Sequence, residues 1–104
     1  MPYYSVLDVT LTSDQWAAGY VGPVTALVAE HGGRYLARTF NHEQLEGNAQ
    51  NDGTRQVLRV IIEWPSKTAA ANFMDDPRYA PHLAARAAGS VSNHYLIAGK
   101  DDLT

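Results

Sequence analysis

Five side chains in this 104-residue sequence are of types that could do chemistry together: Asp8, Arg38, Arg59, Glu63 and, as a fifth member, His94. A carboxylate beside an arginine in a half-apolar pocket can acquire a perturbed pKa and act as a general base. The arginine can hold a carboxylate or enolate oxygen through paired hydrogen bonds. The competing reading makes the same residues ion pairs within one chain or across a dimer interface, since charges near an apolar surface need partners whether or not they catalyse. Both readings require strands distant in sequence to converge.

Other chemistries find less support. His42-Glu43 opens like a zinc-protease helix motif, but the residue four on from His42 is Glu46, so the two-histidine spacing is missing. His31, His82 and His94 are far apart, so no metal is expected. His31, near the end of a predicted helix, suits the helix dipole. There is no cysteine, which removes thiolate ligands, thiol catalysis and disulfides together. No G-x-S-x-G elbow is present, and Gly32-Gly33 closes a helix instead of opening a phosphate-binding one. No cofactor is expected.

The elements that must position the five residues follow from patterning. Residues 3–11 (YYSVLDVTL) read as a first strand. Ser13 is a plausible N-cap, and Trp16, Tyr20, Val24, Leu27, Val28 and His31 recur at helical spacing. Gly22-Pro23 predicts either a kink or a turn followed by a helix from Pro23. Gly32-Gly33 ends this stretch. Residues 34–40 form a second strand, and the polar segment Asn41–Arg55 is too long for a tight turn. Residues 56–64 (QVLRVIIEW) form the third strand. Ser66 caps a short helix. Asp76-Pro77 begins another helical stretch that Pro81 splits and Gly89 ends, and residues 91–98 form the last strand. The order strand, helix, strand, strand, helix, strand predicts one domain over 1–104. Its class is α+β, a ferredoxin-like four-stranded antiparallel sheet with the helices on one face.

Alternation splits each strand in two. Leu58, Val60, Ile62 and Trp64 suit a helix-packed face, with Tyr3, Leu7, Val9 and Leu11 beside them. The opposite face holds Tyr4, Val6, Asp8 and Thr10 with Val57, Arg59, Ile61 and Glu63. That second face is half apolar, more so than a solvated sheet face usually is. Two copies are therefore expected to meet there across a dyad, enclosing a mostly apolar pocket. Trp16, Tyr20 and Trp64 read as core, and Tyr79 with Arg86 as edge packing with the arginine tied to a carboxylate.

The net charge of −3, with two lysines and six scattered arginines, disfavours nucleic acid as a partner. The βαββαβ order also belongs to RNA-binding domains, but the third strand carries aliphatics where base-stacking aromatics would be needed. No apolar run is long enough for a membrane span, and residues 1–12 lack a signal-peptide pattern, so a cytoplasmic protein is expected.

Several segments together resemble the domain of unknown function 1330 family within the dimeric α/β-barrel superfamily. They are Gly32-Gly33-Arg34-Tyr35-Leu36-Ala37-Arg38, Leu45-Glu46-Gly47, Arg59 through Ser66 with Ala69-Ala70, and Asp76-Pro77-Arg78-Tyr79 with Arg86. The Asn41–Arg55 segment is longer than the family pattern. The resemblance implies the fold and homodimerisation. It does not select a reaction, because the superfamily spans cofactor-independent monooxygenases, isomerases, haem enzymes and plain ligand binders. The expectation is a homodimer binding a small, partly apolar, oxygen-bearing metabolite between sheet and helices, with cofactor-free acid–base chemistry using Glu63 or Asp8 and an arginine. The alternative is a non-catalytic sensor or structural dimer.

Overall fold

A computed structural model describes residues 1–48 and 55–104; part of the long Asn41–Arg55 segment, residues 49–54, lies outside the described residues. The elements run β1 (Tyr3–Leu11), α1 (Ala17–Glu30), β2 (Arg34–Thr39), β3 (Val57–Trp64), α2 (Lys67–Asp75), α3 (Ala80–Ala88) and β4 (Ser90–Ala98). The antiparallel sheet has the order β2-β3-β1-β4, so the two most apolar strands are central. This is the ferredoxin-like fold the element order predicts, with the second helical stretch divided into α2 and α3.

Its helix-facing side is the core. Leu7 and Val9 of β1, Val60, Ile62 and Trp64 of β3, Val24, Leu27 and Val28 of α1 and Phe73 of α2 are all buried together. The alternation expected for β1 and β3 holds, with one polar inclusion: Ser5 stands among the core residues of β1 and is only 1% exposed.

Three local expectations are corrected. α1 does not start at Pro23; it runs continuously from Ala17 with Pro23 inside it, and Ser13 Oγ accepts a bond from Gln15 N in the preceding turn instead of capping the helix. Proline removes one helical hydrogen bond, and the burial of Val24, Leu27 and Val28 against the sheet outweighs that loss. Pro81 does not split a helix but occupies its first turn, where its missing N–H is not needed. The break between α2 and α3 falls at Asp76, where Asp76-Pro77 predicts it, with the extended backbone (ψ 121°) that a following proline imposes, but residues 77–79 form a turn and α3 begins only at Ala80. Ser66 caps α2 as expected, its Oγ accepting from Ala69 N.

Two glycines are required by close approach. A Cβ at Gly33 would lie 2.7 Å from both the Trp64 ring and Val28. A Cβ at Gly89 would lie 2.1 Å from the Trp16 ring, whose Nε1 donates to the Gly89 carbonyl at 3.1 Å. Trp16 thus ties the entrance of α1 to the end of α3. No helix among the described residues is long and apolar enough to cross a membrane.

Candidate functional site

Between the sheet and α1 and α3 lies a cavity of about 300 Å3, at the small end of ligand-binding cavities. Its walls are mainly aliphatic and aromatic, and its polar groups are Tyr20, Tyr35, Arg38, Tyr79, Arg86 and His94. Among the described residues no carboxylate lines it.

Arg86 is its deepest charge. α3 presents this side chain inward, so that the residue is 5% exposed. One amino group donates to the Tyr79 hydroxyl at 3.4 Å, and the buried Nε has no partner among the described residues. No described carboxylate pairs with it, which corrects the expectation of an arginine tied to an acid. Tyr79 is buried, not at the domain edge, and its hydroxyl lies 3.2 Å from that of Tyr20. Burial, then the neighbouring Tyr79 phenol, pushes the Tyr20 phenol far above its ordinary value, so Tyr20 is protonated at neutral pH. Burial works against the charge on Arg86, and the two phenols facing it more than offset this. The guanidinium is a cation in a dry wall.

Arg38 stands at the mouth. Its guanidinium lies 4.0 Å from the centre of the Tyr35 ring and donates to Thr25 Oγ1 of α1 at 2.8 Å. Simple alternation would put Tyr35 and Arg38 on opposite faces of β2. A bulge between Tyr35 and Ala37 resets the register, pairing Tyr35 with Ile62 and Arg38 with Val60, so both face the helices. Burial raises the Tyr35 phenol, and Arg38 opposes that rise.

His94 also faces the helices, because it pairs with Leu7 on β1. Its Nε2 lies 2.8 Å from Ser5 Oγ, and the same oxygen accepts from Trp64 Nε1 at 2.8 Å. Burial, followed by repulsion from Arg86, holds the His94 pKa below its ordinary value, so the ring is neutral at physiological pH.

The other three predicted residues lie across the sheet. Asp8 is 3.7 Å from Arg59 and accepts from Asn93 at 3.4 Å. Glu63 pairs with Arg34 at 2.9 Å, not with Arg59, and accepts from the Tyr4 hydroxyl. The structure therefore does not assemble the five-residue constellation. It divides it: Arg38 and His94 line the inner cavity, while Asp8, Arg59 and Glu63 occupy the open face. Arg86, Tyr79, Tyr20, Tyr35 and Ser5 on the inner side and Arg34 on the open face complete these two groups and were not in the predicted set.

The signal for the Tyr79–Arg86 pair was present. Seven residues is two helical turns, and the pair meets because Pro81 begins α3 instead of breaking it. Trp64 is core as expected, whereas Trp16 and Tyr20 line the cavity wall. His31 sits beside Asp76, 2.9 Å away, in addition to being at the end of α1. Among the described residues no group of three or more His, Asp or Glu could hold a metal ion.

A ferredoxin-like sheet covered on one face by helices, with a small cavity between them lined by two arginines, defines the class of this protein. Comparison assigns the family. The model for the family described as Domain of unknown function (DUF1330) matches residues 2–100, and the chain belongs to that family. Among curated proteins no sequence matches. Among solved structures, a protein of unknown function from Rhodopseudomonas palustris is similar with TM-score 0.77 and 19% identity, over 96% of this chain and 83% of that one. A variant of SnoaB, a cofactor-independent oxygenase from Streptomyces nogalater, is similar with TM-score 0.67 and 20% identity, over 98% and 96% of the two chains. A putative antibiotic biosynthesis monooxygenase from Caulobacter crescentus has TM-score 0.58 and 12% identity, over 95% and 91%. At these identities the likeness is one of fold.

Proposed function

We propose that this protein is a cytoplasmic homodimer that binds a small, mostly apolar, oxygen-bearing molecule in the cavity between sheet and helices, and supports cofactor-free chemistry on it. The observation that carries this reading is Arg86, a buried guanidinium with no carboxylate partner among the described residues, facing an aromatic cavity of about 300 Å3. An unpaired buried charge is costly, and a bound oxygen ligand is what would offset that cost. The fold shared with a cofactor-independent oxygenase supports chemistry that relies on the substrate's own electrons. In such chemistry the protein supplies dryness, orientation and stabilisation of an enolate or phenolate oxygen.

The dimer is supported by the open sheet face. Val6, Ile61, Tyr95 and Ile97 are exposed there. The charges among them already pair within the chain, Asp8 with Arg59 and Glu63 with Arg34, so a second copy would bury few unpaired charges. Absence of cysteine fits a reducing compartment.

A thermal-shift panel of small carboxylic acids, lactones and phenols tests the binding. Concentration-dependent stabilisation of the native protein, lost in Arg86→Met and weakened in Arg38→Ala, is the expected result. Equal stabilisation of the Arg86→Met protein would remove the site from this cavity.

A further inference from the structure

We infer that the cavity takes its ligand as a preformed oxyanion, the ionised form of a small aromatic or enolic acid, and that among the described residues no cavity group takes the ligand's proton as a base. This rests on the cavity reading above and specifies the ligand's charge state.

Arginine has only donors, so Arg38 and Arg86 offer nothing but N–H groups. Arg86 donates to Tyr79, so the Tyr79 oxygen is an acceptor in that contact. The bond between Tyr20 and Tyr79 consumes one phenolic proton and leaves the other unspent. Both phenols line the cavity, so that remaining proton is available to a ligand oxygen.

His94 would be the obvious base, but its lone pair is taken. Indole N–H is only a donor, so Trp64 occupies one acceptor direction of Ser5 Oγ. Ser5 is buried, and the described hydrogen bonds offer its own proton one nitrogen acceptor, His94 Nε2. Leaving a buried hydroxyl proton unpaired is unfavourable. The network therefore assigns Ser5 as donor to Nε2, which fixes the proton of neutral His94 on Nδ1. In that tautomer the histidine is one more donor.

The titratable and charged groups facing the cavity are Tyr20 from α1, Tyr35 and Arg38 from β2, Tyr79 and Arg86 beside α3, and His94 from β4. His82 packs its ring edge against Tyr20 outside the lining. Asp8 and Glu63, the carboxylates of the strands, are across the sheet. A neutral acid entering the cavity would find only phenol oxygens as acceptors for its hydroxyl proton, whereas its anion would meet the guanidinium groups of Arg38 and Arg86 and the unspent phenolic proton. The aromatic walls favour a planar apolar body.

The probe is 4-nitrophenol, whose phenolate absorbs visible light while the phenol does not, with 4-nitroanisole as an isosteric ether that cannot ionise. Native protein in excess is titrated with pH while the probe's absorbance is followed. The expected result is that bound 4-nitrophenol ionises at least one pH unit below the free probe, equivalent to a preference of tenfold or more for the anion. 4-Nitroanisole should bind at least tenfold more weakly than the phenolate. Arg86→Met should abolish the shift, and Arg86→Lys should keep part of it, which separates lost charge from lost folding. Bound probe ionising at or above the free value, or ether binding as tight as phenolate, overturns the inference while leaving the cavity reading intact. Failure of either probe and of the acid panel to bind at all overturns both.

Discussion

Replacing Arg86 by methionine should stabilise the ligand-free protein while removing its response to anions. The guanidinium is 5% exposed, its Nε is unpartnered, and its one contact to Tyr79 is long at 3.4 Å. A buried donor left unsatisfied costs about 1–3 kcal/mol. Exchanging buried charges for well-packed apolar residues of similar volume is often neutral or stabilising by about 1–4 kcal/mol. Methionine approximates the arginine stem and suits irregular apolar surroundings. Little structure is lost in return. The Tyr20–Tyr79 bond persists, and the Ser90 hydroxyl bonds to the backbone carbonyl of residue 86, which does not depend on the side chain.

We therefore expect a gain of about 1–2 kcal/mol, the lower part of that range because some packing of the arginine stem is sacrificed. For a domain of this size each kcal/mol moves the melting temperature by about 4–8 °C. Calorimetry or tryptophan fluorescence on the ligand-free proteins reads the change directly. A fall in melting temperature corresponding to about 3–5 kcal/mol, the cost of breaking a buried ion pair, would refute the reasoning. It would mean that Arg86 has a structural partner and is not held in reserve for a ligand.

Other consequences follow from the same contacts. Ser5→Ala should destabilise by about 1–3 kcal/mol, because it orphans the buried Trp64 Nε1–H; a change below a few tenths would remove Ser5 from the network. His94 is held below its ordinary value of 6.5, so the unfolded chain takes up that proton first, and stability should decline as pH falls below 6.5. A second decline should begin below 3.8, where Asp76, held far below that value by hydrogen bonds from Arg78 and then His31, must protonate for the fold to be lost. Urea midpoints measured against pH should show both windows, and His94→Gln should flatten only the upper one. Ile61→Asp, on the open sheet face, should convert a sedimenting dimer into a monomer with unchanged far-ultraviolet circular dichroism; a wild-type monomer at micromolar concentration would sink the dimer.

The parts of the fold legible in the sequence are those set by local periodicity. β1 was bounded correctly because Tyr3–Leu11 is β-branched and aromatic throughout, and Gly32-Gly33 closed α1 because no side chain fits against Trp64 and Val28. Ser66 marked its helix for a local reason, a hydroxyl that caps a backbone amide. What alternation could not reveal is where alternation fails. The bulge at Leu36 turns Arg38 onto the helix side, and nothing in RYLART announces an extra residue. The place of His94 depends on which residue of β1 it opposes, a matter of pairing with Leu7, 87 residues away in sequence. Pro23 and Pro81 misled because a proline reads as a break, whereas the cost of one at a tolerated or well-packed position is outweighed by burial. Arg34 as the partner of Glu63 was hidden for the same reason as the place of His94: charge type is visible in sequence, but cross-strand neighbours are not.

This division of the charges has a consequence for selectivity. The protein carries a net charge of −3, so its overall field does not draw anions in. Preference for an oxyanion must arise locally, from the side of the sheet on which each charge is placed. Successive residues of a strand point to opposite faces, so the central strands can hold Asp8 and Glu63 on one side while presenting Leu7, Val9, Val60 and Ile62 on the other. The acids are then spent on Arg59 and Arg34 outside the cavity, and Arg86 inside it is left without an internal competitor. Had one carboxylate faced the helices, it would have paired with Arg86 in a low-dielectric space and filled the position a ligand oxygen requires. The sheet thus separates the ion pairs of the open face from the cation-lined cavity, and it is this separation that leaves a buried cation free to bind.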